Sequence, residues 1–170
     1  MFDGFHRTPL FERSCSMKVT CPYSTPPADL AADVNPSLHI DDLPEGTRSL
    51  VVTAQNLQSG QFHWIVYNIP VTDTIDEDFQ KGVEAPNDFN QRKFKTPDPR
   101  SGETELIISV YALSDVLHTG SMKNGHAIRR ALYRCLIDVA ETVYFADPFA
   151  PALYTYDVSD LYDLPPGMHD

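Results

Sequence analysis

The sequence predicts a single mostly-β domain carrying one amphipathic helix at its periphery, and three observations lead there. Four short apolar runs, rich in Val, Ile, Thr and aromatic residues, are each bounded by Gly, Pro or Asp. Prolines, 14 in all, cluster between those runs and point to long ordered loops. One later window repeats its apolar residues at helical spacing instead. With 170 residues, 42% of them hydrophobic, the chain suffices for one compact domain with a real core.

Taken in order, Met17 to Cys21 is the first predicted strand. The turn signal Pro44-Glu45-Gly46-Thr47 then precedes a second, Ser49 to Ala54. A polar loop, Asn56-Leu57-Gln58-Ser59-Gly60, leads to a third, Phe62 to Ile69. That run is apolar on both faces apart from His63 and Asn68, as expected of a central strand buried on both sides. Thr104 to Leu113 is the fourth. From Lys123 to Phe145, Ile128, Leu132, Cys135, Leu136, Val139 and Val143 fall on one stripe, with Arg129, Arg130, Arg134, Asp138 and Glu141 outside it. This reads as an amphipathic helix docked on the sheet, capped by Asn124 and closed at Ala146-Asp147-Pro148. Residues 1–146 form the expected domain. The tail 147–170 is acidic and rich in Tyr and Pro, without periodicity. Tyr154, Tyr156 and Tyr162 with Phe149 and Leu153 are dense enough to bury something, so the tail is expected to pack on the domain, on a protein partner or on a second copy in a homodimer.

Charge excludes some functions. Asp and Glu number 24 against 13 Lys and Arg, a formal charge of -11, and phosphate binding at nucleic acid or anionic membrane needs clustered cations. No window approaches the roughly 18 consecutive apolar residues of a membrane helix, and residues 1–16 carry no apolar stretch of a secretory signal, so no membrane insertion and a cytoplasmic location are expected. Three cysteines give no disulfide framework, although a Cys15 to Cys21 bridge stays open. His6, Cys15, Cys21 and His39 match no metal-ligand spacing, no nucleophile elbow occurs, and neither metal nor cofactor is expected. Asp41-Asp42, ahead of the turn, suit side chain to backbone capping.

The order of motifs resembles a known family. Asn35-Pro36-Ser37-Leu38, the run Asp41 to Thr53 (DDLPEGTRSLVVT), and His63 to Pro70 (HWIVYNIP) are similar to the phosphatidylethanolamine-binding proteins, which include the Raf kinase inhibitor protein. Gly102-Glu103-Thr104 leading into IISVYAL resembles the family's late central strand. The resemblance covers Asp33 to Phe145, about two thirds of the chain. It implies a β-sandwich of two packed antiparallel sheets, peripheral helices and a small anion pocket at one end.

At that pocket the chain departs from the family. Where relatives carry D-P-D-x-P, this chain has Asn56 to Gly60, with amides in place of both acids. The family's second pocket histidine falls near Thr104 and its loop tyrosine near Phe94, leaving His63 and Pro99 as survivors. Asn56 and Gln58 are able to donate hydrogen bonds to a carboxylate, carbonyl or phosphate. Arg92, Lys93, Lys95 and Arg100 concentrate positive charge in one loop of an acidic protein, either to attract an anion or merely to balance neighbouring acids. His63 beside Trp64 is open to a plainer reading, a buried and hydrogen-bonded core histidine. The resemblance thus implies a non-enzymatic ligand-binding or regulatory protein. Its small pocket for an anionic or carbonyl-bearing ligand would draw on His63, Asn56, Gln58, Phe94, Pro99, Arg100 and Thr104. Two alternatives stand beside it. One is an enzyme of natural-product biosynthesis with His63 as general base or hydrogen-bond donor, and the other is an interaction scaffold whose pocket is lost.

Overall fold

The computed structural model describes residues 16–22, 33–98, 100, 102–103, 105–118 and 124–145. His6, Cys15, Pro99, Thr104 and the tail 147–170 lie outside them, and with them the Cys15 to Cys21 bridge and the proposed tail packing. Two antiparallel sheets make up the described structure. The smaller is built from β1 (Lys18–Thr20), β2 (Leu38–Asp41) and β5 (Thr74–Ile75), in the order β1-β2-β5. The larger follows the order β6-β4-β3-β7-β8, from β3 (Ser49–Gln55), β4 (Phe62–Ile69), β6 (Val83–Glu84), β7 (Glu105–Leu113) and β8 (Leu136–Phe145). One helix, α1 (Gly125–Leu132), joins β7 to β8.

The large sheet is buried on both faces, as the unbroken apolar run of β4 requires. One face packs Leu50, Val52, Trp64, Val66, Ile108 and Val110 against Val19, Leu38, Ile40 and Ile75 of the small sheet, which is the sandwich core. The opposite face packs Val51, Phe62, Ile65 and Tyr111 against Ile128 and Leu132 of α1. The helix comes so close that a Cβ built on Gly125 would stand 2.7 Å from Cδ2 of Phe62. His126 meets the same ring edge-on at 5.3 Å, and the Arg129 guanidinium lies 5.0 Å from its centroid while donating a 2.7 Å bond to Gln55 Oε1.

The helix is shorter than the sequence periodicity suggests. Asn124 caps it, accepting from the Ala127 N–H at 2.9 Å, but helix ends at Leu132 and residues 136–145 form a strand. This corrects the expected helix from Lys123 to Phe145. The stripe formed by Leu136, Val139 and Val143 has helical spacing by coincidence. The same window holds Ile137, Val139, Thr142, Val143, Tyr144 and Phe145, a β-branched and aromatic density that favours a pleated surface. Pairing decides between them: β8 lies antiparallel to β7 from Glu105↔Phe145 to Leu113↔Leu136, and Ala140 and Tyr144 fill the sandwich core.

Two irregularities in the β3–β4 pairing shape the end of the sheet. Gln55 pairs with Phe62 and its neighbour Ala54 pairs with Trp64, so His63 is an extra residue on β4. That bulge places Phe62 and Trp64, two positions apart, in cores on opposite faces of the sheet. Nearer the other end, Asn68 takes the left-handed conformation (φ 52°) that Asn tolerates. Its carboxamide donates to Leu117 O at 2.9 Å and accepts from Leu117 N at 2.7 Å, which straps the segment after β7 to β4.

Candidate functional site

As the bulged residue, His63 turns its backbone carbonyl and its ring toward the loop that follows β6. The carbonyl accepts from the Lys95 N–H at 2.9 Å and from Nδ2 of Asn87 at 3.1 Å. The ring nitrogen Nδ1 lies 2.7 Å from the Lys95 carbonyl oxygen. A carbonyl only accepts, so Nδ1 carries the proton and, in the neutral ring, Nε2 holds the lone pair.

Asn87 organises this loop. Its Nδ2 also donates to Lys93 O at 2.9 Å, and its Oδ1 accepts from the N–H groups of Phe89 (2.9 Å) and Gln91 (3.0 Å). The next residue ties the loop to the β4 entry: the Asp88 carboxylate accepts from the Phe62 N–H at 2.7 Å, and the Asp88 N–H donates to Phe62 O at 3.0 Å. Asn87 is not among the site residues expected from the sequence. Its available signal was the turn-forming run Pro86-Asn87-Asp88.

The imidazole is fully buried, and Nε2 finds no hydrogen-bond partner among the described residues. Phe89 forms one wall, its ring 4.8 Å away and inclined at 61°. The charged group nearest Nε2 is Glu103, whose Oε1 stands 3.7 Å away and whose side chain retains 16% exposure. Oε2 of Glu103 accepts from the Asp98 N–H at 2.9 Å, and the Glu103 N–H donates to Asp98 O at 3.2 Å, so the carboxylate is held over the ring by its own loop. Burial is the main influence on the imidazole and lowers its pKa below the ordinary 6.5. The bond to Lys95 O and the nearby Glu103 charge work in the opposite direction. The neutral ring therefore faces a carboxylate without bonding to it, since both atoms are acceptors.

The remaining expected site residues are dispersed. Asn56 is buried, and its Oδ1 is spent on the N–H groups of Gln58 (2.9 Å) and Ser59 (3.3 Å), which makes it the former of its own turn. The Gln58 side chain sits in the exposed part of that turn. Phe94 is a core residue, contacting Trp64 and Tyr144 edge-on with centroid distances of 6.0 and 5.8 Å. Arg100 is exposed and turned toward Asp98. The other cations also have local partners: Lys93 and Lys95 face Asp33 at 3.6 and 4.0 Å, and Arg92 donates to the Glu84 carbonyl. Glu103, which brings a second polar group to His63, was visible in the sequence only as part of a loop motif. Among the described residues no group of three or more His, Cys, Asp or Glu is placed to hold a metal ion, and no helix is long and apolar enough to cross a membrane.

Comparison with known proteins places this geometry in context. The family model described as phosphatidylethanolamine-binding protein matches residues 13–144. A UPF0098 protein of Archaeoglobus fulgidus is 33% identical over 96 residues, half of this chain and 33% of that protein. UPF0098 protein YbhB of Escherichia coli is 34% identical over 95 residues, 48% of this chain and 60% of that protein. The chain thus spans only a third and three fifths of these two curated relatives. A UPF0098 protein of Pyrococcus abyssi is 30% identical over 125 residues, 65% of this chain and 70% of that protein. Among solved structures, Escherichia coli YbcL superposes with a TM-score of 0.64 at 23% identity, over 78% of this chain and 99% of that one. A Chlamydia trachomatis homolog of the same family gives 0.60 at 21%, over 78% and 97%. At such identities the two structures speak for the sandwich fold alone.

Proposed function

We propose that this chain, which belongs to the phosphatidylethanolamine-binding protein family, is a non-enzymatic binder of a small polar ligand, received at His63. One observation carries the reading: Nε2 is a fully buried polar atom without a hydrogen-bond partner among the described residues, facing a carboxylate that is itself partly open to solvent. An unpaired buried acceptor costs roughly 1–3 kcal/mol, and a ligand that supplies a donor would recover it. The expected anionic or carbonyl-bearing ligand makes a further demand. Either would need a proton on Nε2, hence the imidazolium, which burial disfavours. Regulation of a partner, and a cytoplasmic setting, belong to the same proposal by analogy with the family.

The test is a titration of the protein followed through the ring nitrogens of His63 by NMR, with inorganic phosphate, acetate and methylammonium as probes. Movement of the Nε2 resonance with at least one probe is expected. A ring indifferent to all of them would remove the basis for a ligand at this position.

A catalytic reading draws on the same lone pair, because a neutral, oriented imidazole beside a carboxylate is what a general base requires. It predicts a substrate whose turnover disappears in His63→Asn while the fold persists.

A further inference from the structure

We infer that the His63 site selects a primary ammonium group, held between the Nε2 lone pair and the Glu103 carboxylate, with Glu103 as the residue that sets the sign of the charge accepted. This rests on the reading of His63 as a ligand site and goes beyond it by naming the ligand chemistry. The tautomer is dictated by the Lys95 carbonyl, which claims the Nδ1 proton and leaves Nε2 an acceptor. Glu103 Oε1, 3.7 Å away, is an acceptor as well. Two acceptors converging on one point repel an anion and have nothing to offer a carbonyl. A donor about 2.9 Å from each satisfies both, after a small outward shift of the carboxylate. An ammonium does so with two N–H bonds and neutralises the carboxylate charge in the same step.

Of the charges acting on the ring, Glu103 and Asp88 favour a cation and Lys95 opposes one. Lys95, the nearest cation, has its Nζ drawn toward Asp33 (4.0 Å) and over the Phe89 ring (5.9 Å). Asp88, the other acid acting on the ring, binds the Phe62 N–H. Glu103 (16% exposed) and Lys95 (32% exposed) are partly open to solvent beside the buried ring, and Glu103 is the one whose carboxylate faces Nε2. The bond from the Asp98 N–H to Oε2 leaves Oε1 aimed at the site.

The experiment uses the full chain at about pH 8, above the ordinary imidazole range, with long-range proton–nitrogen NMR on the histidine rings. The probes are methylammonium, tetramethylammonium and inorganic phosphate. Methylammonium is expected to shift His63 Nε2. Tetramethylammonium, which has the charge but no N–H, should bind at least ~10-fold more weakly, as loss of a charge-assisted bond implies, and phosphate should leave Nε2 unmoved. In Glu103→Gln the carboxamide keeps an acceptor for the Asp98 N–H and turns an N–H toward Nε2, closing the site from within. Methylammonium affinity should fall by about 10- to 100-fold. Equal responses to the two ammonium ions, or a Glu103→Gln variant that binds methylammonium as the wild type does, would overturn the inference. A shift with phosphate and none with methylammonium would overturn it too, while leaving His63 as a ligand site. Silence from all three probes would remove both.

Discussion

His63 and Lys95 are hydrogen-bonded in both directions, with Nδ1–H reaching Lys95 O at 2.7 Å and the Lys95 N–H returning to His63 O at 2.9 Å. This reciprocal pair holds the ring orientation, selects the tautomer and pins the loop to a strand that would otherwise have an unpaired bulge. A backbone contact therefore governs what the side chain is able to bind.

The buried ring makes stability depend on pH. Its folded pKa lies below 6.5 because burial disfavours the cation. Between that lowered value and about 6.5 the unfolded chain binds a proton that the folded chain does not, so stability falls as pH drops through this window and is fully present above it. His63→Asn retains a donor for Lys95 O and removes the titration. Urea unfolding across a pH series is expected to show this part of the slope in the wild type and its loss in the variant; parallel profiles would contradict the neutral, buried assignment.

Asn87→Ala strips four hydrogen bonds from the loop, those to His63 O, Lys93 O, Phe89 N and Gln91 N. Some of these groups reach water once the loop loosens, so a loss of about 2–4 kcal/mol is expected by denaturant unfolding. The ring signals of His63 should broaden or split in the same variant. An unchanged stability would show that the carboxamide does not organise the loop.

Gly125→Ala reverses a usual rule. Alanine within a helix is ordinarily favoured over glycine by about 1 kcal/mol, yet here its methyl would lie 2.7 Å from Phe62 Cδ2 and 2.9 Å from Ile65 Cδ1. Both neighbours are buried in the packed face beneath α1, so overpacking should prevail and cost about 1–3 kcal/mol. A thermal melt in which the variant gains stability would mean that the helix sits farther from the sheet.

Phe94→Ala distinguishes core from pocket. The ring is 2% exposed and wedged between Trp64 and Tyr144, so its removal should cost about 3–5 kcal/mol. Phe94→Leu, which preserves most of the volume, should recover much of that loss, as a packing role predicts and a specific aromatic contact with ligand would not.

Much of the architecture was readable from local pattern. The β4 bounds, Phe62 to Ile69, coincide with the predicted run because Gln61 and Pro70 flank it and its apolar density has no other use. Asn124 announced its helix through a short polar side chain, and the family motifs from Asn35 to Pro70 announced the sandwich. β8 was misread because helical spacing and strand composition coexist in 136–145, and only a partner strand with matching register could choose between them. The two-residue strands β5 and β6 carry too little pattern to be seen at all.

At the site, chemistry and placement divide. Residue types along the chain determined that His63 would be the one imidazole of a largely apolar strand and that net charge would be negative. Tertiary structure decided that Asn56 would serve its own turn, that Phe94 would vanish into the core, and that Glu103, 40 positions beyond His63, would stand opposite Nε2. The physical reason is that a residue's hydrogen-bonding capacity is written in its side chain, whereas which acceptor or donor it meets depends on a bulge and a loop closed by contacts distant in sequence.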